Sequence, residues 1–469
     1  MALLIFIRRA YVVRLGPFAL DYRHENHAMT NRLMETSRRA MLSYCKASIV
    51  LHRLGFPDKN YPMPKTSPRM KSLPLPSKRQ ALLGKKRNAK MARSVHAYVR
   101  GNTLKFYDWL EKADVGRMPQ GPAIWICGDC HTGNLGPVAN AKGHIEIQIR
   151  DLDQAVIGNP AHDLIRLGLS LATAARGSAL SGVTTINMIE ALFDGYLWAF
   201  DKSHARKMLD NRPSVVRVVM REAVRRSWKH LAVERLEDTQ PTIPFGKRFW
   251  PISKAERAEI AALFERETLM TLATSLRSRP NTGEVSVLDA AYWVKGCSSL
   301  GRLRYAVLLD VDGGVIDGDD LCLIDIKEGL AAAAPRYTSA RMPRDNAERV
   351  VEGARHLSPH LGERMRAARL QGRSVVIREL LPQDLKLDIE QISQSEAMDV
   401  ARFLASVVGR AHARQMDNAA RRSWLTELRR NKTKTMDAPL WLWSSVVELA
   451  GAHEVGYLEH CRRFALGAS

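Results

Sequence analysis

The chain has 469 residues, with 71 Lys and Arg against 49 Asp and Glu, a formal charge of +22. Hydrophobic residues make up 45% and charged residues 26%, an ordinary globular composition that excludes collagen-like and wholly disordered chains. No window approaches 18 uncharged apolar residues, so no membrane-spanning helix is expected, and the length suggests two or three domains.

Much of the positive charge is local. Residues 64–93 carry ten Lys or Arg and no acid. Such charge suits nucleic acid, anionic lipid or a phosphate-bearing substrate, and equally a solvated surface; no nucleic-acid motif supports the first. Six cysteines stand at 45, 127, 130, 297, 322 and 461, a usage typical of reduced intracellular chains. The apolar start MALLIFIRRAYVVRLG is broken by Arg8 and Arg9 and lacks the order of a secretion signal, so a cytoplasmic protein is expected.

In chain order, residues 1–79 read as a basic, Pro-containing extension, partly disordered, with five prolines between 62 and 76. A helical pattern runs from about 80 to 112. The apolar run in AIWICGDCHTGNLG (123–136) breaks into a polar, Gly-bearing loop. HIEIQIRDLDQA (144–155) alternates like a strand and ends in acids, and 158–177 reads as a turn followed by a buried helix. Residues 186–275 are mostly helical. The texture then changes: 285–314 and 319–329 are β-rich with Gly punctuation, a helical stretch is expected at 345–368, and SVVIRELL (374–381) reads as a strand. Residues 393–415 and 440–466 read as helices. The division is therefore a helical segment at 80–284, a β-rich lobe at 285–390 and C-terminal helices at 391–469.

Three motifs carry chemistry. The loop Gly128-Asp129-Cys130-His131-Thr132-Gly133-Asn134 is followed by Asp151 and Asp153. Phosphoryl transfer from a nucleotide needs a carboxylate to orient the attacking hydroxyl, and an amide and a second carboxylate to hold magnesium. Asp129 fits the first role, and Asn134 with Asp151 or Asp153 fits the second, since magnesium prefers few hard oxygen ligands. The competing reading is a tight turn of Gly, Asp and Asn. The second motif is the small-residue turn Gly296-Cys297-Ser298-Ser299-Leu300-Gly301, followed by Lys327 in Ile324-Asp325-Ile326-Lys327. Backbone N–H groups of Gly296, Ser298, Ser299 and Gly301 can approach phosphates, and a strand lysine can reach them. A lysine flanked by apolar residues in a central strand is uncommon, because an unpaired buried ammonium is costly. The third is RVVEGAR (349–355), where Glu352, or its neighbour Glu348, is a candidate partner for Lys327.

The segments at 90–110, 127–136, 150–172, 296–309, 325–329, 349–357 and 409–415 resemble, in this order, a bacterial family termed domain of unknown function family 2252. Its GD-x-H-x-x-N and D-x-D elements are similar to those of the aminoglycoside and choline kinase group. The resemblance implies an α+β, protein-kinase-like two-lobe fold with ATP and magnesium as cofactors. It implies Asp129 as catalytic base, Asn134 and Asp151 on magnesium, Lys327 on phosphates, and Asp163 as a structural cap. Asp151 is favoured over Asp153 because it follows the strand directly. In ordinary kinases the glycine loop and lysine precede the catalytic loop, whereas Lys327 here follows Asp129; the resemblance thus implies a circular permutation. The expected function is an ATP- and magnesium-dependent phosphotransferase whose acceptor is open, an anionic one included. The alternative is a non-catalytic relative that binds a nucleotide or an anionic partner through its basic surface.

Other readings are set aside. Cys127-Gly128-Asp129-Cys130-His131 spells a haem-attachment pattern, but no export signal accompanies it. A thioredoxin-like pair lacks its βαβ context, and zinc lacks a second ligand pair. Arg217, Arg221 and Arg225 form an i, i+4, i+8 stripe that reads as a solvated helix face, or as an anion-binding rim. His412 is expected to make a structural hydrogen bond near the catalytic loop.

Overall fold

Apolar alternation and its absence divide the chain into a sheet and a helical assembly. The computed structural model describes residues 73–464, apart from residue 75 and the stretches 114–117, 227–241, 275–283, 298, 312–320, 338, 386–392 and 431–437. Most of the expected N-terminal extension, and Ser298, lie outside the described residues. Residues 67–469 form one compact unit.

Helices α1 (Arg79–Met91), α2 (Val95–Gly101) and α3 (Thr103–Lys112) open the described chain. Ser94 and Asn102 cap the second and third, each accepting a backbone N–H three residues on. The strands β1 (Ile124–Ile126) and β4 (Val156–Gly158) pair antiparallel, as do β2 (Leu135–Ala139) and β3 (Ile145–Ile149). These two small ladders hold the loops bearing Asp129 and Asp151. Then come α4 (Ala161–Gly177), α5 (Gly182–Trp198), α6 (Lys202–Asp210) and α7 (Ser214–Arg225). A two-residue strand β5 (Phe249–Trp250) precedes α8 (Lys254–Phe264) and α9 (Glu267–Thr274).

The β-rich region is a six-stranded antiparallel sheet in the order β5-β6-β7-β8-β10-β9. Its long strands are β6 (Val285–Trp293), β7 (Arg304–Val311), β8 (Leu321–Glu328), β9 (Met365–Leu370) and β10 (Arg373–Leu380). The period of two separates its faces. Tyr305, Val307, Ile324, Ile326, Val375 and Ile377 point into one core with Ile260, Leu263 and Phe264 of α8 and Leu269 and Leu272 of α9. Arg304, Asp325, Lys327 and Arg378 alternate with them and so share the opposite face. After β8 comes α10 (Asn346–Leu357), capped by the Asp345 carboxylate on the N–H groups of Ala347 and Glu348. The short α11 (Pro359–Gly362) follows, and α12 (Gln394–Ala413), α13 (Asn418–Leu428) and α14 (Leu440–Phe464) end the chain. A single large core joins α4 and α5 to α12 and α14, so early and late segments are packed together.

One expected helix is corrected. Residues 345–368 do not continue as a helix: α10 ends at Leu357, and Met365–Leu370 is a strand paired with β10. Arg, Ala and Met are good helix formers. Here the hairpin turn Gln371-Gly372, with both residues at positive φ (53° and 69°), and the ladder to β10 override that preference.

Candidate active site

The loop after β1 is held from beneath by one buried carboxylate. Asp163, in the first turn of α4, accepts the N–H groups of Cys127 (2.7 Å) and Gly128 (2.9 Å). Its outer partner is His412 Nε2 at 3.2 Å, and His412 Nδ1 lies 2.9 Å from the Tyr196 hydroxyl, which accepts from Trp424 Nε1 at 3.0 Å. All four side chains are buried. One assignment satisfies every donor: Tyr196 donates to Nδ1, and His412 carries its proton on Nε2 and donates it to Asp163. Both structural expectations, for Asp163 and for His412, agree with this geometry. Gly128 stands at φ 71°, and a Cβ there would lie 2.3 Å from the Gln154 carbonyl, so the loop's entry needs glycine.

Asp129 projects from this loop. Its Oδ1 receives Arg166 Nε at 2.9 Å and Nη2 at 2.8 Å; its Oδ2 receives the Thr103 hydroxyl at 2.9 Å. Arg166 is wholly buried and also donates to the Val99 carbonyl at 2.6 Å. Asn134 donates its Nδ2 to the Asp129 carbonyl at 2.9 Å, which leaves its side-chain oxygen available to an electrophile.

Asp151 and Asp153 follow β3 on the next turn. Lys327, from the centre of the sheet, places its ammonium 3.2 Å from Asp151 Oδ1 and pairs with Asp153 Oδ2 as well. The expected convergence of Asp129, Asn134, Asp151 and Lys327 on one cleft is observed; they line a single cavity of about 780 Å³ together with Asp153, Gly296 and Ser299. Lys327 faces this cavity because it lies opposite Arg304 on β7, two residues beyond Asp325. Asp325 is fixed by Arg304 (2.9 and 2.5 Å) and Arg378 (3.2 Å).

The electrostatics split the two carboxylates. Desolvation within the cavity drives Asp151 toward the neutral form, but Lys327, Arg304 and Arg378 outweigh it and hold the carboxyl well below the usual range. For Asp153, burial and the neighbouring Asp151 charge push it up to about 6. Burial lowers the Lys327 ammonium, and the two carboxylates more than reverse this. The His131 imidazole, buried and near Arg100 and Arg166, falls to about 3 and is neutral. The Cys127 thiol is raised by its hydrogen bond with the free thiol of Cys130 and by burial.

Five residues singled out in the sequence fall elsewhere. Glu352 pairs with Arg355 (3.1 Å) and His356 (3.2 Å) on its own helix, not with Lys327. It is about a turn's third out of phase: Arg349, Val350, Gly353 and Ala354 occupy the buried face of α10. Gly301, at φ 91°, turns toward Gln80 and Leu83 of α1 rather than lining the cavity, whereas Gly296, at φ 95°, lines it. Arg217, Arg221 and Arg225 are exposed on α7, around a separate shallow groove.

The link from α10 to the acidic turn is instead Arg349, which donates to the carbonyls of Asp153 (2.8 Å), Leu330 (2.8 Å) and Ala155. Sequence reasoning passed over Arg349, Arg166, Thr103, Arg304 and Asp325. Arg166, Arg304 and Asp325 each interrupt an apolar run, the same signal that singled out Lys327. Thr103 carries no such mark.

The donor set fits a magnesium ion held between phosphates and few protein oxygens, namely Asn134 Oδ1 and the Asp151 carboxylate. Among the described residues no group of three or more His, Cys, Asp or Glu gathers as a metal cage. The cavity is within the size range of small-molecule and cofactor sites. No curated protein and no solved structure matches the chain. Residues 79–463 match the family described as an uncharacterized protein conserved in bacteria, and the chain belongs to that family, domain of unknown function family 2252.

Proposed function

We propose that the protein is an ATP- and magnesium-dependent phosphotransferase. The observation that carries this reading is the meeting of Lys327 with Asp151, 176 residues away in sequence, and with Asp153, in the cavity that Asp129 and Asn134 also line. The hairpin β6–β7 with its glycine-bearing turn, the lysine strand β8 and the helix α10 come in the order expected of a nucleotide lobe, and the loop of Asp129 precedes them, as a permuted kinase-like chain would require.

In this reading Asn134 and Asp151 hold the metal, which offsets the negative charge of the phosphates. The Lys327 ammonium turns from the carboxylates to the α- and β-phosphates. Asp129 accepts a hydrogen bond from the acceptor hydroxyl through lone pairs that Arg166 and Thr103 leave open, and takes its proton as the new O–P bond forms and the bond to ADP breaks. Arg166 and Thr103 fix the carboxylate's orientation. A second reading, binding without turnover, draws on the same contacts, since both Asp129 oxygens are already engaged.

Asp129→Asn separates the two. Phosphotransfer predicts that ATP consumption, followed with magnesium and a panel of acceptors by ADP release and the acceptor's gain of one phosphoryl group, falls by about a hundredfold or more while nucleotide affinity stays. A wild-type protein that binds magnesium–ATP and transfers to no acceptor or water supports the binder.

A further inference from the structure

Helix α4 runs outward from the Asp129 loop. Arg166 holds Asp129, and Ser170 accepts the Thr132 N–H of the same loop at 3.1 Å. Ala172 and Arg176 then follow on the wall of the cavity. At a helical rise of about 1.5 Å per residue they lie about 9 and 15 Å along the axis from Arg166. The same two residues line a second, open groove of about 590 Å³. The cavity and the groove therefore meet on this face of α4. Among the described residues, the groove's other walls include Leu180, Thr185 and Ile186 at the start of α5, and Trp443 of α14. Trp443 precedes Ala450, which lines the cavity, by two helical turns.

The groove presents mainly carbon. Arg176 is the single charged side chain among its described walls, and it is paired with Glu454 at 2.5 Å on the cavity side of the junction. The Thr185 hydroxyl donates to the Ser181 carbonyl of its own helix at 3.3 Å. Leu180 is set in place by the turn that ends α4: Ala179 stands at φ 53°, and the Leu180 N–H bonds back to the Ala175 carbonyl at 3.0 Å. Val183, beside this turn, and Val447, one turn after Trp443, are exposed and extend the apolar surface. Apolar side chains gathered in the open mark a binding site.

We infer, building on the phosphotransferase reading, that the acceptor is an alcohol with a hydrocarbon tail, its hydroxyl at Asp129 and its tail laid along α4 into the groove between Ile186 and Trp443. The γ-phosphoryl group passes from ATP to that hydroxyl, giving a phosphomonoester and ADP, while Asp129 takes the hydroxyl proton. A wholly polar acceptor of the same reach would leave these walls in water, whereas a hydrocarbon tail removes them from it. The groove opens from the cavity on the helix that holds Asp129, at the far side from the Lys327 strand, so the tail stays clear of the phosphates.

The test uses the full chain saturated with magnesium and the β,γ-imido analogue of ATP, and titrates 1,2-propanediol, 1,2-hexanediol and 1,2-octanediol by calorimetry. Octanediol is expected to bind saturably and propanediol not at all. Affinity should rise by about three- to fourfold per methylene from hexanediol to octanediol, as for a methylene taken out of water. Ile186→Ser removes part of the apolar wall. Gly182→Phe adds a side chain to the groove at a position where a Cβ meets nothing within 4 Å. Each should weaken octanediol by about five- to twentyfold, and affinity for the analogue should stay within about twofold. With ATP in place of the analogue, octanediol should release ADP faster than propanediol, and Ile186→Ser should shrink that preference. No saturable octanediol binding, affinity independent of chain length, or unchanged octanediol binding in either folded variant would overturn the inference. A dimer that Ile186→Ser dissociates, with no octanediol binding by the wild type, would give the groove to a second copy of the chain and overturn it too. Should the analogue itself not bind the wild type, the phosphotransferase reading fails, and the same diol titration without nucleotide still decides the groove.

Discussion

Asp151 and Asp153 stand two residues apart and share one ammonium, yet their protonation is driven in opposite directions. Such a pair takes up its proton as a unit, here at Asp153 because Asp151 faces Lys327, Arg304 and Arg378. A folded-state carboxyl raised to about 6 holds a proton that the unfolded chain releases near its ordinary value of about 4. This group's effect on stability is therefore favourable below that window and is lost as pH rises through about 6; the depressed Asp151 contributes stability at higher pH that is lost in acid. On the proposed reading, a proton on Asp153 leaves Lys327 and the metal site less well matched to a magnesium–nucleotide complex. Magnesium-dependent ATP affinity should fall by up to about tenfold per pH unit below 6, and Asp153→Asn should flatten that profile while keeping metal dependence. Titrations at pH 5, 6, 7 and 8 with the wild type and Asp153→Asn check this. Much of this site was legible as residue types: Asp129, Asn134, Asp151 and Lys327 announce themselves by spacing and by a charge among apolar neighbours. The choice between i and i+2 on an extended turn was not, because both side chains share a face. Nor was the phase of α10, where a one-residue step separates the outward Glu352 from the inward Val351 and Gly353.

Helix α4 anchors the Asp129 loop through Asp163, and α12 anchors Asp163 through His412. Asp163→Ala would orphan two buried N–H groups and the imidazole, a loss of about 3–5 kcal/mol for breaking a buried charged network. Tyr196→Phe, which removes the bond to His412 and the acceptor of Trp424, should cost about 1–3 kcal/mol. Urea unfolding of the two variants against the wild type measures both; equal stability in Asp163→Ala would show that the loop is held by other contacts. At this scale the periodic signals served well where they were long: the buried helix over 158–177, the strands of the sheet, and the C-terminal helices. They misled at Met365–Leu370, where local composition favours a helix and only the partner strand decides otherwise.

Over the whole molecule, the positive charge is put to structural use in part. Arg79, in the middle of the most basic segment, is buried against Glu256 at 2.6 Å and lies over the ring of Tyr292, so α1 is fastened to α8 and the sheet. The large core joins α4 and α5 to α12 and α14. Deleting residues 394–469 would strip this core and remove His412 from Asp163, and that truncated chain should be insoluble or lack cooperative unfolding by circular dichroism. A soluble, cooperatively folded product would contradict the interdependence of early and late segments. No sequence pattern states that interdependence, because pairing between distant helices leaves no local period. The order of the motifs did state that the lysine strand would return to the Asp129 loop, and Lys327 beside Asp151 is the place where that return is made. The most direct test is therefore a calorimetric titration of ATP into the full chain, with magnesium and with a chelator, for the wild type and Asp151→Asn. Saturable ATP binding that requires magnesium in the wild type and loses that requirement in Asp151→Asn is the predicted result. Unchanged magnesium-dependent binding in Asp151→Asn, or no ATP binding by the wild type, would contradict the account.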